Sequence, residues 1–154
     1  MTVDRATVHA SAVLIGRKAA LIRGPSGSGK SNLVWGLLQA ATQTVNFSAL
    51  PFARLVADDR VHIQANAGRL LVRPAPALAG MIEIRGLGIW RLVYEPLAAV
   101  GLVVDLAAED SRYPDQDANQ VVIEGIALPR IGIAIGIPAL PMVLAFLLGD
   151  PTGN

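Results

Sequence analysis

The segment that most constrains the fold of this chain is the run GPSGSGKS, from Gly24 to Ser31. It matches the pattern G-x-x-x-x-G-K-S, in which a glycine-rich loop cradles phosphate groups with its backbone amides. The pattern requires a strand before the loop and a helix after it. Both are predicted here, from Ala19 to Arg23 and from Ser31 to Thr42. The segment therefore predicts an α/β domain that binds a nucleoside triphosphate.

Each residue type in this loop has a role in phosphate binding. The glycines allow backbone conformations that a side chain would forbid, so that successive amides can face one anion. Lys30 adds a positive charge for the outer phosphates, and Ser31 offers a hydroxyl to the accompanying Mg²⁺. The helix that follows directs its positive dipole end at the ligand. The predicted nucleotide contacts are Gly24, Pro25, Ser26, Gly27, Ser28, Gly29, Lys30 and Ser31.

Composition argues against several other functions. The 154 residues include 13 basic and 12 acidic ones, with a net charge of +1 and no basic cluster. This gives no footprint for nucleic acid or for an anionic membrane. Cysteine is absent, which excludes disulfides, thiolate metal sites and thiol nucleophiles. The first residues do not resemble a signal peptide, so we expect a single domain, residues 1–154, in the cytoplasm.

One apolar segment has two interpretations. Residues 131–149 form an uncharged run that is long enough to span a bilayer. Glycines and prolines interrupt the run, however, and its first half alternates with period two. We therefore predict a strand from Leu128 to Ile137, a proline turn and a short buried helix from Met142 to Leu148. A transmembrane helix remains the alternative.

Strands outnumber helices elsewhere in the pattern. Two alternating runs, Val61 to Gln64 and Arg69 to Arg73, flank the turn signal Asn66-Ala67-Gly68 and predict a β-hairpin. The nearly continuous apolar run Val100 to Leu106 is typical of a central strand. The alternating residues Met81 to Arg85 predict another strand, and we expect the glycine-rich residues 86–89 to continue it. The fold is thus β-rich, unlike the regular alternation of a nucleotide kinase.

Two carboxylates, Asp58 and Asp59, end an apolar strand downstream of the loop. In phosphate-loop enzymes such a strand places a carboxylate near the metal ion and the attacking group. A carboxylate there can accept the proton of a substrate hydroxyl. The alternative is a pair of solvated aspartates that open a turn. Taken alone, Glu83 is typical of an exposed residue on the outer face of a strand. His9, taken alone, is typical of a structural histidine.

Four blocks of the chain together resemble the bacterial HPr kinase/phosphorylase family. In order they are VHAS at 8–11, GPSGSGKS at 24–31, LVADD at 55–59 and IEIRGLGI at 82–89. The last block is close to a family signature and is more specific than the phosphate loop. The chain looks like the catalytic domain alone, in the short form of the alpha-proteobacterial type.

The resemblance implies an ATP-dependent kinase that phosphorylates a serine of HPr, the phosphocarrier of the sugar phosphotransferase system. Many members of the family also remove this phosphate by phosphorolysis. The implied fold is a β-rich phosphate-loop domain related to that of phosphoenolpyruvate carboxykinase, assembled as a hexamer. The implied cofactors are ATP and Mg²⁺, and the positions that match metal ligands are Ser31, Glu83 and Asp59.

The resemblance also assigns catalytic roles by position. Asp58 would be the general base towards the substrate serine, and His9 would support Asp58 and the phosphate. Lys30 would hold the phosphates. Arg112 looks equivalent to a family arginine in the loop after the central strand.

The chain departs from the family pattern at three places. Asn32 stands where an acidic residue is usual, about ten extra residues fall in the segment Thr42 to Phe52, and Ile137 to Pro141 replaces a basic stretch associated with phosphorolysis. The missing basic stretch leaves phosphorolysis open. Together with Asn32, it also motivates a second hypothesis, a regulatory module that binds ATP and a phosphocarrier partner without catalysis. A small-molecule kinase is a third hypothesis. That class usually has a mobile lid rich in arginine, and no such segment is visible in this sequence.

Overall fold

The computed structural model describes residues 7–42, 52–109 and 119–149, and these residues form a strand-rich α/β fold. Ten strands lie within these ranges: β1 (Ala10–Ile15), β2 (Lys18–Arg23), β3 (Ala53–Ala57), β4 (Val61–Asn66), β5 (Arg69–Pro74), β6 (Met81–Ile84), β7 (Gly88–Arg91), β8 (Ala98–Leu106), β9 (Gln120–Ile123) and β10 (Ile126–Ile133). The helices are α1 (Lys30–Thr42), α2 (Ala139–Leu148) and a short 3₁₀ helix at Pro76–Leu78. The predicted excess of strands is therefore confirmed.

Eight strands form one mixed sheet in which β8 is central. The order is β3-β1-β2-β8-β10-β9, and the β4–β5 hairpin joins the sheet through the pairing of β5 with the start of β8. Strand β8 runs parallel to β2 on one side and to β10 on the other. A strand that is covered on both faces is apolar nearly throughout. This explains the run from Val100 to Leu106 and confirms its prediction as a central strand.

Two apolar clusters cover the two faces of this sheet. Along β2, Ala20 and Ile22 pack in the cluster that contains the apolar side of α1, while Ala19 and Leu21 pack in the opposite cluster with β4 and β5. Successive side chains of a strand point to opposite faces, so one strand contributes to both cores. This packing buries the strand that leads directly into Gly24.

The predicted hairpin between residues 61 and 73 is confirmed. Strands β4 and β5 pair from Asn66 opposite Arg69 to Val61 opposite Pro74. The two residues of the turn, Ala67 and Gly68, have φ values of 53° and 78°. Two consecutive positive φ values are the signature of the tight turn that matches the twist of paired strands.

The expected single strand through residues 81–89 is wrong. The chain reverses at Gly86 and Gly88, whose φ values are 89° and 88°, and the amide of Leu87 donates to the carbonyl of Ile84 at 2.9 Å. Strand β7 then returns antiparallel to β6 in a separate two-stranded sheet. Glycine adopts positive φ without steric cost. The two glycines that we expected to interrupt one strand therefore form the turn between β6 and β7.

The bounds predicted for the apolar segment near the C-terminal end are also wrong. Strand β10 ends at Ile133, because the chain turns where the amide of Ile137 donates to the carbonyl of Ala134. Helix α2 starts earlier than predicted, and Pro141 lies in its first turn. Amide hydrogens of the first turn have no acceptor within the helix, so a proline, which lacks this hydrogen, is tolerated there. The helix is only partly covered, since Phe146 remains 49% exposed.

The membrane-spanning interpretation of this segment is not supported. Residues 131–149 are divided between β10, a turn and α2. Among the helices that the structure describes, none is both long and apolar enough to cross a bilayer.

Candidate active site at the phosphate-binding loop

The loop from Gly24 to Gly29 connects β2 to α1, in the strand–loop–helix context that its motif requires. Gly27 and Gly29 have φ values of 81° and 99°, which side chains rarely allow. A Cβ on Gly24 would lie 2.5 Å from the Oγ of Ser28, so the loop closes on itself at this position. The glycines of the motif are thus required by the backbone path.

Several groups at this loop suit an anion. Lys30 is buried, and its Nζ donates to the carbonyls of Gly24 at 2.8 Å and Pro25 at 3.1 Å, which holds the ammonium group over the start of the loop. The Oγ of Ser28 is buried without a hydrogen-bond partner among the described residues. Helix α1 begins at Lys30, and the amides of a helix start favour negative charge. A cation, a free hydroxyl and a helix N-terminus fit a polyphosphate chain.

The carboxylate of Asp58 joins four separate segments. It accepts hydrogen bonds from the Oγ of Ser11 at 2.8 Å, from the Oγ of Ser31 at 2.8 and 3.0 Å, and from the backbone amide of Glu83 at 3.2 Å. Strand β3 delivers Asp58 to this point because it pairs with β1, which carries Ser11. Each of the four blocks that suggested the family therefore contributes one residue to a single contact.

The neighbouring carboxylate lies in a different environment. Asp59 has a φ of 69°, and its side chain is 60% exposed, whereas Asp58 is only 6% exposed. The Nδ1 of His9 lies 3.3 Å from the Oδ1 of Asp59, and the amide of Asp59 donates to Ser11. The structure thus places His9 beside Asp59. The support of Asp58 by His9 that the resemblance implies stays a prediction.

A polar cleft of about 560 Å³ lies beside the loop. We call it the polar cleft; the described residues that line it are His9, Ser26, Gly27, Gly29, Lys30, Ser31, Asn32, Asp59, Glu83, Ile84, Arg85, Gly86 and Gly88. The β6–β7 hairpin supplies one wall and carries Glu83 and Arg85 into it. The polar cleft therefore holds charges of both signs: the cations are Lys30 and Arg85, and the carboxylates are Asp59 and Glu83. Cations suit phosphate groups and carboxylates suit a metal ion, so the cleft fits a metal–phosphate complex.

The predicted metal ligands Ser31, Asp59 and Glu83 all line the polar cleft. Within residues 7–42, 52–109 and 119–149, no group of three histidine, cysteine or acidic side chains is arranged to hold a metal ion. Magnesium binds through one or two carboxylates, with water and substrate phosphates as its other ligands. The donors present therefore fit a magnesium ion that binds together with the nucleotide.

The sequence interpretation missed an ion triad at the end of the central strands. Asp105 on β8 accepts two hydrogen bonds from Arg23, each of 2.7 Å, and a third of 2.5 Å from Arg130 on β10. Burial alone would raise the pKa of Asp105, but the hydrogen bonds and charges of the two arginines outweigh it and lower the pKa below its ordinary value. Arg23 directly precedes the loop, so the triad anchors its first residue.

Two further outcomes concern single residues. Ser11 was part of a recognised block but had no assigned role, because only the sheet register brings it to Asp58. Arg112 lies outside the described residues, as does most of the predicted insertion between Thr42 and Phe52. Their roles stay predictions.

Comparison with known proteins agrees with the resemblance seen in the four blocks. No family model matches the chain. The HPr kinase/phosphorylase of Streptococcus thermophilus is 31% identical over 144 residues, which cover 86% of this chain and 43% of that protein. The HPr kinase/phosphorylase of Lactococcus lactis is 41% identical over 87 residues, which cover 56% of this chain and 25% of that protein. The chain is a homologue of the HPr kinase/phosphorylases.

The resemblance predicted from the sequence is thus confirmed, although the chain spans less than half the length of these curated relatives. A solved structure titled Hpr(Ser) kinase/phosphatase, from Coxiella burnetii, superposes with a TM-score of 0.70 and 24% identity and covers 93% of both chains. This superposition confirms the predicted fold, a β-rich α/β domain like that of the HPr kinases.

Proposed function

We propose that this chain is the catalytic domain of an ATP-dependent protein kinase that phosphorylates a serine of the phosphocarrier HPr. The observation that carries the proposal is the contact at Asp58, where Ser11, Ser31 and Glu83 of the other three blocks converge on one carboxylate. Homology to proteins named HPr kinase/phosphorylase supports the choice of reaction and of acceptor. Within the part of the chain that the structure describes, the geometry of the site does not favour a binding module without catalysis over this kinase.

In this proposal the loop and Lys30 hold the triphosphate of ATP, and Ser31, Glu83 and Asp59 hold Mg²⁺. The bound metal ion neutralises phosphate charge. The chain's own contribution is positioning and charge, which supply most of the catalysis in phosphoryl transfer. Ser31 is already oriented for this task, since its hydroxyl hydrogen is directed at Asp58 and its lone pairs are left for a cation.

The serine of the acceptor enters the polar cleft between the hairpin and the Asp58–Asp59 corner. Its oxygen attacks the γ-phosphorus as the bond from that phosphorus to the bridging oxygen breaks, and ADP leaves. Asp58 is buried and does not itself line the cleft, but it bonds the hydroxyl of Ser31 and the amide of Glu83, two residues that do. Each of its oxygens already accepts two hydrogen bonds, so one of these bonds must be released before Asp58 can accept the serine proton. Catalytic hydrogen bonds often form only in the substrate complex.

A transfer assay tests the proposal. The protein is mixed with HPr, Mg²⁺ and ATP labelled at the γ-phosphate, and we expect label on a seryl side chain of HPr. HPr with that serine replaced by alanine is the control acceptor. Absence of transfer at every magnesium concentration would contradict the proposal. The same mixture, run with phosphorylated HPr and inorganic phosphate, measures whether phosphorolysis is retained.

We further propose that the chain assembles as a homo-hexamer, which the family resemblance implies. Exposed apolar side chains on and after the β6–β7 hairpin support an interface: Leu87 is 65% exposed, Ile89 70% and Val93 75%. Sedimentation at micromolar concentration should give about six times the mass of one chain. A monomer under these conditions would exclude the hexamer.

A further inference from the structure

A second cleft borders the phosphate loop besides the polar cleft. Its volume is about 600 Å³, within the range of small-molecule sites. We call it the apolar cleft, and its described lining comes from the loop, the start of α1, the end of β8 and the segment from the end of β10 to the first turn of α2. Those residues are Pro25, Ser26, Gly27, Ser28, Gly29, Asn32, Leu33, Leu106, Ala107 and residues 133–141.

The two clefts share the loop as their common boundary. Ser26, Gly27, Gly29 and Asn32 line both of them. A triphosphate bound along the loop therefore has one end towards each cleft. The γ-phosphate end lies with Ser31 and the charged side chains of the polar cleft. The end that carries the nucleoside is therefore directed to the apolar cleft.

The chemistry of the apolar cleft suits that other end. Its described lining contains no ionisable side chain. The lining combines apolar side chains, among them Leu106, Ile137 and Leu140, with the turn before α2, and Asn32 adds one side-chain amide. Apolar walls with a few polar groups are typical of sites for flat, neutral heterocycles.

We propose that the apolar cleft binds the nucleoside, that is the base and ribose of the nucleoside triphosphate. The inference rests on the proposed ATP-dependent function and adds the site for the part of the substrate that the loop does not hold. The acceptor serine does not fit there, since no described group of this lining can take its proton. The segment that replaces the basic stretch of the family, Ile137 to Pro141, thereby acquires a role as a wall of the nucleoside site.

The test compares binding of ATP with binding of inorganic tripolyphosphate, both with Mg²⁺, by calorimetry in the absence of HPr. The tripolyphosphate carries the phosphates but no nucleoside. Ala134→Phe fills the cleft, and Ile137→Ser removes part of an apolar wall at a residue that is 50% exposed and so has little effect on folding. Val122→Ser is the matched control, because Val122 is 67% exposed and lies outside both clefts.

We expect each cleft variant to weaken ATP binding, by about tenfold or more for Ala134→Phe, while tripolyphosphate binding changes by less than about twofold. The control should bind both ligands like the parent protein. Equal losses for ATP and tripolyphosphate, or no loss for either, would overturn the inference. Selective loss of ATP binding in a protein that transfers no phosphate to HPr would instead uphold the nucleoside site and contradict the proposed kinase.

Discussion

At the residue scale, two adjacent aspartates have contrasting environments. Asp58 is buried and satisfied by two hydroxyls and one amide, while Asp59 is exposed and lies next to His9. The positive φ of Asp59 separates the two side chains, so that one holds the loop and the other borders the polar cleft. Substitutions at these two positions should therefore have different consequences.

Asp58→Asn should slow phosphoryl transfer by about a hundredfold or more, because the amide cannot accept the serine proton. The dissociation constant of ATP should change little, since a general base acts only in the chemical step. Steady-state transfer and ATP calorimetry measure the two quantities. Asp59→Asn is the matched comparison; if it lowers the rate more than Asp58→Asn does while ATP binding and its dependence on Mg²⁺ stay unchanged, Asp59 is the base. A large loss of ATP affinity in Asp58→Asn would make Asp58 a metal ligand.

Lys30→Ala should abolish transfer while the fold is retained. Among the described residues, the Nζ of Lys30 bonds only two carbonyls, both in its own loop, so its removal withdraws charge from the phosphates and leaves the core intact. Transfer assays and circular dichroism test the two halves of this expectation. Arg17→Ala, in the turn between β1 and β2, removes one positive charge away from the loop and should have full activity. Equal rates for Lys30→Ala and the parent would refute the role of Lys30.

At the scale of elements, the ion triad links three parallel neighbouring strands, β2, β8 and β10, of which β2 leads into the loop. Arg23 on β2 and Arg130 on β10 both bond Asp105 on the strand between them. The pKa of Asp105 is lowered in the folded state, so the carboxylate stabilises the fold above its unfolded pKa of about 4. That contribution is lost as the pH falls through the folded pKa.

Asp105→Asn should lower the free energy of unfolding at neutral pH by about 2 kcal/mol, the worth of hydrogen bonds to a charged group. The variant should also lose less stability than the parent between pH 5 and more acidic values, since it has no carboxylate to protonate at this site. Urea unfolding across this range measures both effects. Glu95→Gln is the control, because its 3.3 Å pair with Arg54 is partly exposed and contributes about 0–1 kcal/mol. A parallel pH dependence in parent and Asp105→Asn would contradict the role of the triad.

At the scale of the whole molecule, the mixed sheet connects the parts that make the site. Strands β1, β2 and β3 hold Ser11, the loop and Asp58, and the β6–β7 hairpin packs against α1 through Ile82. A fold in which the site-bearing elements share one core should unfold as a unit.

We therefore expect one cooperative thermal transition for the chain, as the prediction of a single domain requires. MgATP should stabilise the folded protein by about 2.7 kcal/mol at a free concentration one hundred times its dissociation constant. Differential scanning calorimetry with and without MgATP measures this, and Lys30→Ala is the control in which the shift should largely vanish. Two separate transitions in the parent would contradict the single domain.

Local patterns predicted some elements well and others poorly. The β4–β5 hairpin was predictable because Asn66-Ala67-Gly68 suits one tight turn, and β8 because a covered strand is apolar throughout. The reversal at Gly86 was missed, since glycines inside an alternating run are compatible with either a strand or a turn. The end of β10 was missed for a related reason, because the period-two pattern continues beyond the last paired residue, Ile133.

By itself, the sequence determined that a phosphate loop follows a strand, that carboxylates end a later strand, and that four blocks match one family. These are local features, which short segments specify through glycine conformation and periodicity. Only the tertiary structure decided that Asp58 gathers Ser11, Ser31 and Glu83 while Asp59 pairs with His9. It also decided that the loop lines two clefts, one charged and one apolar. The reason is that sheet register and strand order, which bring distant residues into contact, depend on the packing of the whole chain.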